Sequence, residues 1–496
     1  MPRESANERH KIEKIKDSLI DVRGTYTEAP LNRKVFIGAG LAVITYAVCT
    51  FIPIDNYGAG TARALGMLLA TVAFSTFWCY SIAVPALLCA VAGIALGHWT
   101  WDDVSSALGS SPMYTMIGMQ IVAYGCEFTP LGTRLAYWFL RQFGQKPVHM
   151  VVVIGVVTAV ISSLVSDLAV LIMMSGIAAT LLNAMGEKPG KSKIGKAMML
   201  TVTCMSLVGG TILICGSPSG NMRAISFMEA ASDGKFSITF GQWAAFGVPS
   251  FILFALPANL IYVKCAGLKN SQSRALPRSY YDEKLNSLGK IGGSEIRWII
   301  IVAAMIVSMV SGVGAGEAAL TFALISILPG VGVVPAKKAL GKIPWDNVLA
   351  LCTFPLLGNL LTSTGLGDFI TAILKPVMGG MSPLMFSIAA CLTTGILVNI
   401  FVNANIAVCA LCVTIFTPVC ISLGYNPTVI LYPTLCVVSL FFCIGSNTMV
   451  LMNKGYGYWE MKDPILPGFL VVIIFSLIYP CISVAVSGLV GLDVLL

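Results

Sequence analysis

Two stretches of this chain place small polar residues at the centre of long apolar runs, where they could coordinate a cation or donate hydrogen bonds to an anion. The first half carries SSLVSD at 162–167 and GSPSGN at 216–221. The second half carries NIFVNAN at 399–405 and GSNT at 445–448. A membrane protein keeps polar groups and non-helical backbone at depth only where they line a cavity or bind something. Two matched pairs therefore predict a binding site between inverted repeats.

The Gly-Ser breaks supply the first part of that chemistry. A run such as GSPSGN inside a span frees backbone N–H and C=O groups, and each costs several kcal/mol in lipid if it stays unsatisfied. Freed N–H groups at the start of a half-helix suit an anionic group. Freed carbonyls suit Na⁺, which prefers oxygen ligands. A plain helix kink is the alternative, and the matched second break at 445–448 argues against it.

Asp167 is the most informative single residue. An ionised carboxylate at mid-depth costs at least ~2.5 kcal/mol on insertion scales, so it is paired, protonated or exposed to water in a cavity. A role in coupling to Na⁺ or H⁺ fits these conditions. The alternative is a structural ion pair with Arg223 or Arg134. Arg223 itself either faces the substrate or occupies a loop or interface.

The elements that position these residues must be membrane helices. The chain has 496 residues, of which 56% are hydrophobic and 11% charged, against roughly 25% charged in soluble domains. Apolar runs near 20 residues recur after Val35, long enough to cross a bilayer of about 30 Å. The net charge of +8 comes from basic clusters between these runs, which mark cytoplasmic loops rather than a nucleic-acid surface.

Placing the basic clusters inside predicts an all-α polytopic protein of about 11 transmembrane helices and two oppositely oriented re-entrant hairpins. The expected location is the cell (inner) membrane, with the N-terminus cytoplasmic and the C-terminus outside. The predicted segments are a cytoplasmic arm at 1–34, a first half at 35–263 with a hairpin near 147–186 and a break at 216–220, a loop-like cytoplasmic linker at 264–296, and a second half at 297–496 with a hairpin near 384–423 and a break at 445–448.

Three of the predicted transmembrane helices are span 4 at 113–140, span 9 at 348–373 and span 10 at 429–444. For the first hairpin, two complete crossings are the alternative. Its first arm, 150–165, covers only about 24 Å at 1.5 Å per residue. A hairpin also brings Asp167 near mid-depth, whereas two crossings would leave it at the far surface.

At these residues the chain resembles the divalent anion:sodium symporter family, which includes dicarboxylate, citrate and sulfate carriers. That family has a Ser-Asn-Thr motif at each of two hairpin tips, followed by a glycine-rich break in a later span. Ser166-Asp167-Leu168 stands at the first motif, with Asp in place of Asn, and Asn403-Ala404-Asn405 covers the second. GSPSGN after Gly209-Gly210 and GSNT at 445–448 are similar to the two breaks.

The resemblance implies a homodimer in which a transport domain moves past a fixed scaffold in an elevator motion. Spans 4 and 9 would link the two parts. It also implies Na⁺ as the coupling ion, without any other cofactor. The leading hypothesis is a cation-coupled secondary transporter of small organic anions such as di- or tricarboxylates, with Na⁺ or H⁺ and the lipid bilayer as partners.

The hypothesis assigns residues to two overlapping sites. The predicted substrate-binding residues are Ser166, Asp167, Ser217, Pro218, Asn221, Asn405, Ser446, Asn447 and Thr448. The predicted cation-binding residues are Ser162, Ser166, Asp167, Gly210, Asn403, Asn405 and Ser446. A Na⁺/H⁺ antiporter or an inorganic-oxyanion transporter of the same superfamily is the alternative, and a channel is a third. An enzyme is not expected, because no membrane Asp pair or Ser/His dyad is evident.

Overall fold

The computed structural model describes residues 33–58, 60–78, 81–268, 276–444 and 448–496, and for Arg33, Asp55, Asn403 and Thr448 it describes the backbone alone. The described residues form helices and no strand, apart from one isolated bridge between Tyr425 and Leu495. The predicted all-α class is therefore confirmed. The arm predicted at 1–34 lies outside the described residues except for its last two positions.

The first half runs from the first described helix to the end of the linker. Its helices are α1 (Arg33–Thr50), α2 (Thr61–Phe77), α3 (Ala83–Ala95), α4 (Trp101–Leu108), α5 (Ser111–Glu127), α6 (Leu131–Phe143), α7 (Pro147–Ser162), α8 (Asp167–Ala184), α9 (Lys193–Gly210), α10 (Pro218–Ala231), α11 (Phe240–Cys265) and α12 (Arg278–Ser287). The helices α7 and α8 are the two arms of the first predicted hairpin. Between α9 and α10 the chain is non-helical at 211–217, earlier than the break predicted at 216–220, because Pro218 occupies the first turn of α10.

The second half begins after the linker. Its helices are α13 (Gly293–Val310), α14 (Ala315–Ile327), α15 (Ala336–Gly341), α16 (Trp345–Thr353), α17 (Pro355–Ser363), α18 (Leu366–Met378), α19 (Pro383–Ile400), α20 (Asn405–Ser422), α21 (Pro427–Ile430), α22 (Tyr432–Val437), α23 (Thr448–Lys454) and α24 (Ile465–Val486). The arms of the second hairpin are α19 and α20, joined by a 3₁₀ turn at Val402–Ala404.

Six of the described helices are long and apolar enough to cross a membrane, or seven if one bent pair counts as a single span. Five further apolar helices have 10–17 residues. The chain is thus a polytopic membrane protein. The number of 11 spans and the re-entrant course of the hairpins remain predictions, because short apolar helices of this kind serve either as crossings or as half-crossings.

Span 4 differs from its prediction, because it consists of two helices. Helix α5 ends at Glu127 and α6 begins at Leu131, after Pro130. Proline lacks the N–H that a helix interior needs and its ring displaces the preceding turn, so the chain breaks there. Glu127 and Arg134 consequently lie on different helices and do not pair. Arg134 instead contacts Glu295 at 3.1 Å.

Span 9 is also interrupted. The segment Trp345–Ser363 and helix α18 meet at an angle of 76°. Gly365 makes this bend with φ of 72°, a backbone conformation that L side chains adopt only with strain. The bend is held by α2, where the Thr61 hydroxyl donates to the Thr364 carbonyl at 2.5 Å.

Span 10 unwinds earlier than predicted, and the linker is less irregular. Helix α22 ends at Val437, and 438–444 is already non-helical before the predicted break at 445–448. The linker expected to be loop-like contains α12. Helix α12 packs against α6.

Both hairpins are anchored on helices of their own half. The arms α7 and α8 pack against α9, and α19 packs against α22 and α24. An aromatic cluster then joins the halves at α11 and α24. The Trp243 and Tyr432 rings meet edge-on at 5.2 Å, and Phe254 meets Phe475 at 5.4 Å. These contacts form a core that both halves share.

Candidate functional site

A cavity of about 890 Å³ lies where the two halves meet. Its wall includes the first hairpin tip at 165–170, Ser217 with the start of α10 at Ser219 and Gly220, and Asn405 at the second tip. Ser439 and Phe441, from the unwound part of span 10, complete the wall. Elements that lie more than 200 residues apart in the sequence thus face one space.

The first tip presents the carboxylate of Asp167 at the start of α8. Its Oδ2 accepts a hydrogen bond from the Ser217 hydroxyl at 2.9 Å, and its Oδ1 accepts from the backbone N–H of Leu168 at 2.8 Å. Both bonds stabilise the ionised form, and so does the N-terminal end of the helix. Within the described residues, no Lys, Arg or His lies within 4.0 Å of this carboxylate.

The first break is tightly packed between the tip and the opposite half. A Cβ on Gly216 would lie 2.6 Å from the Ser162 carbonyl oxygen and 2.9 Å from the Ser163 Cα. A Cβ on Gly220 would lie 2.7 Å from Ser439 Oγ. The two glycines are required here because backbone of one element approaches another element directly.

Asn221 satisfies the carbonyls that the first break exposes. Its buried amide nitrogen donates to the carbonyls of Gly210, Leu213 and Ile214 at 2.8, 3.2 and 3.2 Å. Its Oδ1 is buried and has no hydrogen-bond partner within the described residues. Asn221 therefore stabilises the wall from behind rather than lining the cavity.

In the second half the same task falls to Asn399, on the arm α19 of the hairpin. Its amide nitrogen donates to the Leu440 carbonyl at 2.6 Å, and its Oδ1 accepts from the Cys443 N–H at 2.8 Å. Both partners belong to the unwound part of span 10. These bonds hold the unwound backbone against the hairpin, with Ser439 and Phe441 on the cavity side.

The predicted site residues fall into three groups. Those that line the cavity are Ser166, Asp167, Ser217 and Asn405. Those that are buried in the wall behind it are Ser162, whose hydroxyl donates to the Ser206 carbonyl at 2.5 Å, and Gly210, Pro218 and Asn221. Those that fall outside the description are Ser446 and Asn447 entirely, and the side chains of Asn403 and Thr448.

Arg134 and Arg223 are the two arginines that the sequence offers as partners of Asp167, and the structure places them differently. Arg134 donates to Glu295 and to the linker carbonyls of Leu288 and Gly289, so it is excluded. Arg223 lines the cavity and is only 9% exposed. The sequence alone left Arg223 open between cavity and interface. The sequence feature that favours the cavity is the position of Arg223, five residues after Pro218 on the half-helix that begins at the break.

The cavity mouth carries charges of both signs. Lys342 lies 4.0 Å from the Glu127 carboxylate, and its ammonium sits over the Tyr124 ring at 5.2 Å. Asp346 lines the same rim. Exposed charges of this kind are screened by salt and guide ions more than they bind them.

The geometry therefore offers a pocket with hydroxyl and amide groups from both halves, the Asp167 carboxylate at the first tip and the buried guanidinium of Arg223. Hydroxyl and amide groups can donate hydrogen bonds to an anion and can also ligate a cation through oxygen. A polytopic fold with such a pocket between two unwound spans defines a membrane transporter. The family comparison makes the assignment specific, because the sequence model of the citrate transporter (CitMHS) family matches residues 67–408. The chain belongs to this family, and it is a secondary anion transporter rather than an enzyme.

Individual relatives agree with this assignment. The sodium-dependent dicarboxylate transporter SdcS of Staphylococcus aureus strain USA300 is 22% identical over 87% of this chain and 88% of its own length. SdcS of strain MSSA476 is 23% identical over the same shares. The predicted resemblance to the divalent anion:sodium symporters is thereby confirmed.

Two solved structures share the fold. The YdaH transporter of Alcanivorax borkumensis superposes with a TM-score of 0.55 at 11% identity, over 91% of this chain and 98% of that one. MtrF of Neisseria gonorrhoeae, described in a study of a class of antimetabolite efflux pumps, gives 0.56 at 12% identity over 95% and 97%. At these identities the likeness extends to the architecture alone.

Proposed function

We propose that this protein is a cation-coupled secondary transporter of small di- or tricarboxylates. The observation that carries the proposal is the single cavity lined by both hairpin tips, Asp167 from one half and Asn405 from the other. The names of the relatives support the substrate class, since they are called citrate and dicarboxylate transporters.

In this proposal the anion lies between the tips. Ser166 and Asn405 donate hydrogen bonds to its carboxylates, together with Ser446, Asn447 and the side chain of Thr448. Ser217, whose hydroxyl proton is donated to Asp167, contacts the anion beside them. Pro218 and Asn221 support this wall from behind. Buried hydrogen bonds to a charged acceptor contribute about 1.5–3 kcal/mol each, enough for a few of them to hold a small anion.

The coupling cation, proposed to be Na⁺, binds beside the anion at two places. Asp167 and Ser166 form the first, with Ser162 and the backbone near Gly210 behind them. Asn405, Asn403 and Ser446 form the second. Asp167 is well suited to this role because it has no cationic partner within 4.0 Å among the described residues and faces the cavity.

The architecture proposed for transport is an elevator within a homodimer of the cell membrane. The order of helices from α7 to α11 recurs from α19 to α24, which supports an inverted repeat. The interruptions of spans 4 and 9 supply hinges between a moving and a fixed part. The basic loop that precedes Lys342 supports a cytoplasmic mouth for the cavity, in line with a cytoplasmic N-terminus and an outside C-terminus.

Uptake into proteoliposomes tests the function. Radiolabelled succinate and citrate are offered with an inward Na⁺ gradient, an equal K⁺ gradient or an inward proton gradient. We expect accumulation of one of them above its equilibrium level with Na⁺ and not with K⁺. Absence of uptake of either anion under all three gradients would contradict the proposal.

Coupling to H⁺ is the second candidate, and Asp167 favours it. A carboxylate without a cationic partner, at a cavity inside a membrane protein, can exchange a proton as readily as it can bind Na⁺. The same liposomes distinguish the two, because an H⁺-coupled transporter accumulates the anion with the proton gradient alone. Flux of Na⁺ or H⁺ in the absence of any organic anion would indicate an antiporter, and uptake of sulfate would indicate an inorganic-oxyanion carrier.

A further inference from the structure

Arg223 is a buried cation with unused hydrogen-bond donors. It lies on α10, lines the cavity wall and is only 9% exposed. Its Nε and Nη1 nitrogens are buried and make no hydrogen bond to any described residue. A guanidinium held in this way is costly unless a partner arrives, since burying an unpaired charge disfavours the folded state by several kcal/mol.

The charged groups around the cavity do not supply that partner. Asp167 directs its two oxygens to Ser217 and to the Leu168 N–H, and no ion pair within 4.0 Å joins it to Arg223. Glu127 lies at the rim beside Lys342. The guanidinium and the carboxylate of Asp167 thus face the same space as two separate charges.

We propose that Arg223 binds one carboxylate of the transported anion and thereby sets the preference for anions with two or more carboxylates. This inference rests on the proposed function and deepens it. Arginine presents several N–H donors in a planar fork that matches a carboxylate. The coupling cation then occupies the side of Asp167, so the two charges of the protein divide the cavity into an anion side and a cation side.

The test compares a dicarboxylate with its own monoamide, which has the same size and one charge less. Initial rates of uptake are measured in proteoliposomes for succinate and succinamate, or for citrate and its monoamide if citrate is faster. We expect the wild type to prefer the dicarboxylate by roughly 10-fold to 100-fold in Vmax/KM, the range given by a charge-assisted hydrogen bond. The variant Arg223→Gln should lose most of this preference by raising KM for the dicarboxylate alone.

Lys342→Gln is the matched control, because it removes a positive charge from the rim of the same cavity, where the Lys342 side chain is 60% exposed. It should keep the preference. Arg223→Lys keeps the charge without the fork, and it should show an intermediate preference even if Arg223→Gln does not fold. Melting curves of the purified variants identify such a folding defect.

The outcomes separate the inference from the function. If the wild type takes up neither anion, the proposed function fails. If the wild type transports and Arg223→Gln or Arg223→Lys retains its full preference for the dicarboxylate, the inference is wrong. Recovery of the wild-type preference in the double variant Asp167→Asn/Arg223→Gln would also overturn it, because the two charges would then act only by neutralising each other.

Discussion

Each half places a polar hairpin tip beside an unwound span, but the two halves use different residues to do so. In the first half a carboxylate, Asp167, stands at the hairpin tip, and the break after α9 is satisfied by Asn221 on the half-helix that follows. In the second half an amide, Asn405, stands at the tip, and the unwound backbone is satisfied by Asn399 from the hairpin arm. In the membrane, the freed backbone groups of each unwound span need hydrogen-bond partners, and in both halves a polar tip faces the cavity. This need for hydrogen-bond partners does not determine which residue supplies them.

The difference in charge between the tips has a functional consequence. Asp167 adds a negative charge on one side of the cavity, and Arg223 adds a positive charge that is supplied by the same half. The second half contributes no Lys, Arg, Asp, Glu or His between 376 and 453. Near the two tips, the charged side chains thus come from the first half, whereas Lys342 and Asp346 of the second half stand at the cavity rim.

The largest effect is expected where the first tip meets the first break. Gly216→Ala would place a Cβ 2.6 Å from the Ser162 carbonyl oxygen, and backbone atoms cannot rotate away. Overpacking of this kind costs about 1–3 kcal/mol and displaces the tip, so we expect uptake to fall nearly to background. Gly241→Ala is the control, because no atom lies within 4 Å of the added Cβ. Equal uptake by both variants would show that the tip does not depend on this contact.

The next largest effect concerns the charge asymmetry of the tips. Asp167→Asn makes the first tip neutral like the second, while the amide can still accept from Ser217. We expect uptake at low Na⁺ to fall by roughly 10-fold to 100-fold, because a charged ligand of the cation is lost. We also expect the dependence on Na⁺ or pH to flatten.

Asp346→Asn is the matched control for that variant, since it removes an exposed carboxylate from the rim of the same cavity. Its cation dependence should match that of the wild type. If Asp167→Asn retained the wild-type dependence on Na⁺ and on pH, Asp167 would have to be removed from the cation site.

A smaller effect separates the two ways in which the unwound backbone is stabilised. Asn399→Ala removes hydrogen bonds to Leu440 and Cys443 and leaves buried backbone groups unsatisfied, at about 1–3 kcal/mol. Ser162→Ala removes a single bond to the Ser206 carbonyl. The melting temperature should fall by several degrees more in Asn399→Ala, as measured by thermal unfolding in detergent. The reverse order would mean that the second half does not rely on its hairpin arm.

Much of this arrangement could be predicted from the sequence. Polar residues such as Asp167 and Asn405 are conspicuous within apolar runs, and the arms of both hairpins follow from the lengths of those runs. The early unwinding at 438–444 could not be predicted, because all of those residues except Ser439 are apolar. Their partner, Asn399, lies about 40 positions away. Pro130 signals a break only weakly, since membrane helices tolerate proline. Whether the Arg223 side chain faces the cavity depends on the rotation of α10 about its own axis. That rotation is determined by how α10 packs against its neighbours, so the sequence does not reveal it.

The smallest effect lies outside both tips and provides a baseline. The backbone N–H and the hydroxyl of Thr100 donate to Asp103 at the start of α4 and lower the pKa of its carboxyl. A lowered pKa in the folded state stabilises the fold above about pH 4, and this contribution is lost as the pH falls through that range. The melting temperature of the wild type should therefore decline slightly more on acidification than that of Asp103→Asn. Parallel declines would show that this cap contributes nothing.

The central claim is that both tips hold one anion with its cation in one cavity. A double-mutant cycle measures this directly, with the affinity for succinate, or citrate if it is the substrate, determined by calorimetry in Na⁺ for the wild type, Asp167→Asn, Asn405→Ala and the double variant. Because both tips act on the same bound pair of ions, the two losses of binding free energy should deviate from additivity by more than about 0.5 kcal/mol. Strictly additive losses, or an Asn405→Ala variant that binds as tightly as the wild type, would contradict the claim.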